Sequence, residues 1–504
     1  MGAGGLGCRQ PARKRTGNRA ETRRARSRRR SEPGREDNVR EITYGICGGL
    51  TSEMIRRIHE SAMGVIERVG LRVPHHGIRS LLAEHAGVRI SGEIVRFEPF
   101  LVEKAIRGMS YPGWTREREW AIISGAYELN VLDSETGEIR EPTTADLRDL
   151  TKLCDAYGML GSVPVRPLDL PTVALQEVAN YKVTWENSPL RSADVFDANP
   201  KSTVRVAEFV YELARAAERF FSLGLWVASP FQTVADELEV IYRFLDRRVP
   251  MWAATMPIAG ATAPISMVGA YVQSVAELFA GVTLLSLISR GAPVYASLID
   301  SIRAYPFDMK HGSFVYGSPE DLLATLLQAQ LNRRYGIPLV AKSLLTTSRE
   351  PDAHAAAEKA AHTVVAALAG ARTFTNAGLL SVDEIYSAEQ TVIDHEIVQY
   401  ARRVVEGFDF DADALAVAAI EEVGPGGTFL GHPTTVAKCR TAFWMPELFE
   451  HLMLGPWREA GSLSVREKAR ALARKRIAAH RYALPAEVQR EFDRIWRAAV
   501  AELS

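Results

Sequence analysis

Cysteine is scarce: Cys8, Cys47, Cys154 and Cys439 are scattered over 504 residues without any CxxC spacing. That excludes a disulfide framework and a cysteine-rich zinc site, and it fits a reducing compartment. Net charge is missing as well, since 61 Lys+Arg face 61 Asp+Glu. The balance hides an asymmetry, because residues 1–40 hold thirteen Lys/Arg against four Asp/Glu. The remainder is therefore mildly acidic and has no general affinity for nucleic acid. Long apolar runs are also lacking. The chain does not start on the apolar run of a signal peptide, and its most apolar stretch, Pro264 to Leu287, is broken by Gln273 and Glu277. This argues against a membrane span and for a cytoplasmic protein. No metal-ligand set stands out.

What is present is ordinary globular material, with 47% hydrophobic and 24% charged residues and a mean hydropathy of -0.08. The length exceeds what one core usually organises, so a barrel-sized domain of ~250 residues with added modules is expected. Residues 1–40, with Arg23-Arg24 and Arg28-Arg29-Arg30, have too few large apolar side chains to offset the entropy of ordering and read as a disordered Arg-rich tail. From Leu50 the apolar residues Met54, Ile55, Ile58, Ala62, Val65, Ile66 and Val69 recur at helical spacing, with Thr51 as N-cap and Gly70 just past the end. This opens an N-terminal helical and mixed module over 41–142. Asp133 to Gly137 reads as a turn, after which Thr143 caps a helix with Asp146.

Over 143–406, strand-like runs alternate with helical patterns, the signature of βα units and a parallel sheet. Seven runs are found, near Ser162–Arg166, Pro189–Val195, Phe220–Ala228, Pro250–Thr255, Ala292–Leu298, Ile337–Ser343 and Ala371–Asn376. Ser318-Pro319-Glu320-Asp321 opens the clearest helix, which Gly336 closes. Units of this number and length favour a (β/α)8 TIM-type barrel, with an eighth strand unplaced, over an open sheet, and no dinucleotide fingerprint follows the first run. Residues 407–504 form a helical C-terminal region around it. In such a barrel chemistry sits at the strand ends, where the candidates are Arg166 and Asp169, Ser192 and Asp194, Trp226 and Ser229, Thr255, Ser297 and Asp300, Lys342 and Ser343, and Asn376.

The segment Pro257-Ile-Ala-Gly260-Ala-Thr262-Ala-Pro264 is the least ordinary, its small residues permitting close approach to a ligand. Together with Pro250-Met-Trp-Ala-Ala-Thr-Met before it, Gln273 and Ala276-Glu277 after it, and Gly291-Ala-Pro293, it resembles the trimethylamine:corrinoid methyltransferase family. Phe307-Asp-Met, Gly317-Ser-Pro-Glu320, Gly336-Ile-Pro338, Gly424-Pro-Gly-Gly-Thr-Phe-Leu-Gly-His432 and Trp444-Met-Pro-Glu-Leu-Phe449 extend the resemblance from about Leu50 to the end. It implies an α/β barrel that passes a methyl group from a small methylated amine to the Co(I) corrinoid (cobamide) of a separate, cognate corrinoid protein, with no cofactor held tightly by this chain, and a homo-oligomer. The founding trimethylamine enzymes carry pyrrolysine, whereas this chain has only standard residues, as do members resembling demethylases of quaternary amines such as glycine betaine.

A quaternary nitrogen asks for aromatic faces and a carboxylate. The ring candidates are Trp226 and Tyr295, then Phe314 and Tyr316; Glu277 and Thr262 complete the substrate-binding set, with Lys342 or Arg166 for a substrate carboxylate. Lys342 and Arg166 have Asp169, Asp194 and Glu277 as competing partners inside the barrel. Gly260 and His432 are assigned to the side facing the corrinoid partner. Asp352-Ala-His354 has the start of a corrinoid-binding DxHxxG motif, but Ala357 replaces the glycine and an Ala-rich helix follows, so it reads as a helix start. Two other readings stay open: a barrel lyase or aldolase using a metal or Lys342 as Schiff-base former, and a betaine-binding subunit without catalysis.

Overall fold

The computed structural model describes residues 41–111, 120–125, 127–160, 163–189 and 203–504. The Arg-rich tail, most of the run expected at 189–195 with Ser192 and Asp194, and Ser162 at the start of another run lie outside them. The chain divides into two compact units, Met1–Ile42 with Phe408–Thr428, and Thr43–Gly407 with Phe429–Ser504. The first, where described, is a two-residue antiparallel pairing of Glu41–Ile42 with Phe408–Asp409 followed by the short helices Ala412–Leu415 and Val417–Val423.

The second unit is mixed α/β. Its first helix, Ser52–Arg68, is capped by Thr51, whose hydroxyl accepts from the Met54 N–H, and Gly70 follows in the left-handed region at φ 79°. The sequence reading of both ends holds. A small antiparallel sheet, in the order Leu71–Arg72, Ile94–Phe97, Val88–Ser91, packs beside it. Thr143 and Asp146 form the expected capping box of Thr144–Ala156, and Ser318 caps Pro319–Tyr335, which ends at left-handed Gly336.

Two parallel ladders carry the architecture. One joins Leu223–Val227 to Met251–Thr255 and that strand to Val294–Ala296, Met251 facing both Leu223 and Val294. The other joins Val340–Ala341 to Thr373–Ala377 and that strand to Ala121–Ser124. Single parallel bridges, Ile123 to Leu160 and Glu128 to Val165, extend it toward the strand expected near 162–166. Ala121–Ser124 was not among the seven runs; at four residues, it is too short to show a period.

Helix Met267–Ile288 is long and apolar enough to cross a membrane, yet 78% of its most apolar window is buried within the protein. It serves as a core helix. Leu278, Phe279, Leu284 and Leu285 are fully enclosed, each contributing about 1.5–3 kcal/mol of burial. Gly281 lets the helix lie close on the sheet, since a Cβ there would come within 3.0 Å of both Ala253 and Val227.

Candidate functional site

Short parallel strands end in loops whose first residues must point somewhere, and here they converge. Ile123 and Gly125 stand at the end of one strand, Arg166 follows the single parallel bridge at Val165, and Trp226, Met256, Ile299 with Asp300, Lys342, and Thr375 with Asn376 stand at the ends of five more strands. All line one cavity of about 450 Å³. A helix closes it from the side: Val173, Glu177, Asn180 and Tyr181 of Val173–Asn187 share one face at positions i, i+4, i+7 and i+8. Tyr127 and Asp383 complete the lining.

The lining divides by chemistry. Tyr127, Tyr181 and Trp226 supply ring faces, and the hydroxyls of the two tyrosines bond each other at 3.0 Å. Glu177, Asp300 and Asp383 supply carboxylates. Burial pushes the Asp383 carboxyl above its usual range, and nearby Lys342 partly offsets the shift. Lys342 Nζ donates to Asp300 Oδ1 at 2.9 Å and lies 5.4 Å from the Tyr305 ring centre, while the Tyr305 hydroxyl donates to the same oxygen. Arg166 makes no ion pair among the described residues, and its Nε is buried without a partner. Asn376 holds φ 72° at an irregularity in its strand, its side-chain oxygen accepting from Thr375. Asparagine tolerates this left-handed conformation better than most residues.

Of the residues proposed from sequence, Trp226, Lys342 and Arg166 line the cavity, as do the strand-end candidates Asp300 and Asn376; the other substrate-binding candidates do not. Tyr295 is 1% exposed and packs against Tyr111 with ring centres 5.6 Å apart, behind Trp226 and Trp252. Phe314 and Tyr316 stack at 5.3 Å and form the aromatic backing of Tyr305. Glu277 is fully buried and accepts from Ser229 Oγ, Thr255 Oγ1, the Phe231 N–H and Gln273 Nε2, so both oxygens are committed to pinning the loop after Leu223–Val227. Burial raises its pKa. The Thr262 hydroxyl accepts from the Ile258 N–H, and its carbonyl accepts from Gln273. Gly260, at φ 87°, turns the same tight loop, where a Cβ would strike Ile265. His432 caps the short helix Pro433–Lys438, its Nδ1 2.7 Å from the Thr434 hydroxyl.

The competing partners named for the two cations resolve differently. Asp169 accepts from the backbone and hydroxyl of Thr144, Glu277 holds the loop, and Lys342 pairs with Asp300. That contact commits the lysine Nζ to Asp300. Asp352 caps the helix Ala353–Leu368, accepting from the Ala355 N–H, and His354 pairs with Glu358. Among the described residues no three His, Cys, Asp or Glu side chains gather as a metal site.

Sequence reasoning missed Tyr127, Glu177, Asn180, Tyr181 and Asp383. A signal existed for two of them. Helix Val173–Asn187 is buried on nearly all sides yet carries Glu177 and Asn180 within one stripe, and polar groups in such a helix need a reason.

Comparison with known proteins supplies the rest. A trimethylamine methyltransferase MttB of Desulfitobacterium hafniense is 28% identical over 448 residues, 84% of this chain and 88% of that protein. Its namesake from Methanosarcina thermophila is 26% identical, over 82% and 89%, and a glycine betaine methyltransferase of Desulfitobacterium hafniense is 25% identical, over 90% and 96%. The family model described as trimethylamine methyltransferase (MTTB) matches residues 19–494, and the chain belongs to that family.

Proposed function

We propose that the chain transfers a methyl group from a small quaternary amine to the reduced corrinoid of a separate protein. One observation carries the reading: the strand-end cavity puts the rings of Tyr127, Tyr181 and Trp226 together with the carboxylates of Glu177 and Asp383. Rings hold a cation without hydrogen bonds, each contact contributing about 0.5–2 kcal/mol, and a quaternary nitrogen has no hydrogen to donate. Its positive charge also lets the nitrogen keep the C–N electron pair and depart as a neutral tertiary amine, so no acid is required at the leaving group. The corrinoid, a strong Co(I) nucleophile and the methyl acceptor, asks of this chain a held and aimed methyl group and exclusion of water.

The same reading takes the two parallel ladders as arcs of an eight-stranded barrel, with Ala121–Ser124 as the strand that the sequence pattern left unplaced. The partner docks at the strand ends, Gly260 and His432 on its side, and the location is cytoplasmic. The same reading takes the chain as a homo-oligomer.

The test is methylation of cob(I)alamin by the purified chain offered glycine betaine, tetramethylammonium or trimethylamine. Turnover of a quaternary amine and not of trimethylamine is expected; robust turnover of trimethylamine alone would overturn the proposal.

A further inference from the structure

Asn180 is fully buried, it lines the cavity, and neither its Oδ1 nor its Nδ2 has a hydrogen-bond partner among the described residues. Burying an amide without partners costs on the order of 1–3 kcal/mol for each unmet group. Native structures seldom leave such groups unmet, and on a cavity wall a bound ligand or an ordered water supplies the missing partners. Because both amide atoms lack a partner, the conclusion is the same whichever way the amide is turned.

The chemistry of those two atoms narrows the ligand. Nδ2 needs an acceptor, which a carboxylate provides. Oδ1 accepts only and therefore needs an O–H or N–H. A simple betaine has neither, because its nitrogen is fully methylated and its carboxylate is ionised. The nearby hydroxyls of Tyr127 and Tyr181 are within hydrogen-bond distance of each other and not of Asn180. The other cationic group in the cavity, Lys342, is paired with Asp300, which leaves Arg166 for an anion.

We propose that the substrate is a betaine carrying a hydroxyl group besides its carboxylate, with Asn180 reading the hydroxyl and Arg166 the carboxylate. This rests on the quaternary-amine reading above and deepens it. Glycine betaine, the substrate named for one relative, would leave Oδ1 unmet. A site built to bond a hydroxyl discriminates strongly against the analogue that lacks it, since its own polar group is then stranded.

Carnitine and γ-butyrobetaine share ammonium and carboxylate and differ by one hydroxyl. Calorimetric titration of the purified full chain with each, without corrinoid protein, reads binding alone. Carnitine is expected to bind at least about tenfold tighter. In Asn180→Leu the difference should shrink to about twofold or less, through weaker carnitine binding. Equal affinities in the native chain, tighter γ-butyrobetaine binding, or no binding of either overturns the hydroxyl subsite, and this comparison does not depend on a variant folding. Methylation of cob(I)alamin is scored separately: if carnitine binds with the hydroxyl preference but no panel member is demethylated, the subsite stands and the transfer reading falls.

Discussion

Lys342 and Asp300, from the ends of two different strands, meet as an ion pair at 2.9 Å on the wall of the strand-end cavity, with the lysine side chain 10% and the aspartate 6% exposed. The pair is thus nearly desolvated, and removing one partner strands the other. Lys342→Met is expected to destabilise the protein by about 1–3 kcal/mol, less than a deeply buried pair would because the cavity admits water. Asp300→Asn in the same background should recover part of the loss. Denaturant unfolding of the two single variants and the double variant closes the cycle, and strict additivity would show that the contact contributes nothing.

Arg166 should act on the anion of the substrate and not on its nitrogen. Arg166→Gln is therefore expected to raise KM for a carboxylated quaternary amine about tenfold or more while leaving kcat within about threefold. Tetramethylammonium, which has no carboxylate, should be unaffected. Steady-state kinetics on both substrates decides, and an equal loss on each would assign Arg166 to the fold.

How much of this was legible beforehand follows from period and length. The caps at Thr51, Thr143 and Ser318 were readable because capping chemistry is local. Strands such as Met251–Thr255 were readable as apolar runs because they are buried on all sides. Ala121–Ser124 was not, being four residues long and dependent on partners some 250 positions away. Trp226, Lys342 and Arg166 were found because a strand end is visible in sequence. Tyr295 and Glu277 were misplaced for a related reason: residue type says that a ring or carboxylate must be satisfied, but whether a ligand or a neighbouring loop satisfies it depends on the side of the strand or helix it occupies.

Glu277 turns that distinction into a measurement. Its four donors include the Phe231 N–H and the Gln273 amide, and an amide in place of the carboxylate would set an NH2 against at least one of them. Glu277→Gln is expected to lower stability by about 1–3 kcal/mol while leaving KM for the quaternary amine within about threefold. A large rise in KM at unchanged thermal stability would return Glu277 to the substrate.

His362 predicts the acid behaviour. Its ring is 1% exposed, its Nε2 lies 2.7 Å from the Thr325 hydroxyl, and the fully buried Arg303–Asp321 pair stands beside it. Burial, aided by Arg303 and opposed by Asp321, pulls its pKa down to about 4 from an ordinary 6.5. A depressed folded-state value means that the unfolded chain binds the proton first. The stability contribution is therefore complete above about pH 6.5 and is lost as pH falls toward 4, by on the order of 3 kcal/mol. Glu277 and Asp394, whose pKa values are raised by burial, act in the opposite sense: their contribution is complete below their unfolded values and is lost as pH rises through the raised ones. A raw stability profile mixes the two, whereas subtracting the profile of His362→Gln isolates the histidine. The difference between native chain and variant should be flat above about pH 6.5 and fall steadily below it in urea titrations at successive pH values. A difference that stays level down to pH 4 would mean that the ring takes up its proton as readily in the folded protein as in the unfolded chain.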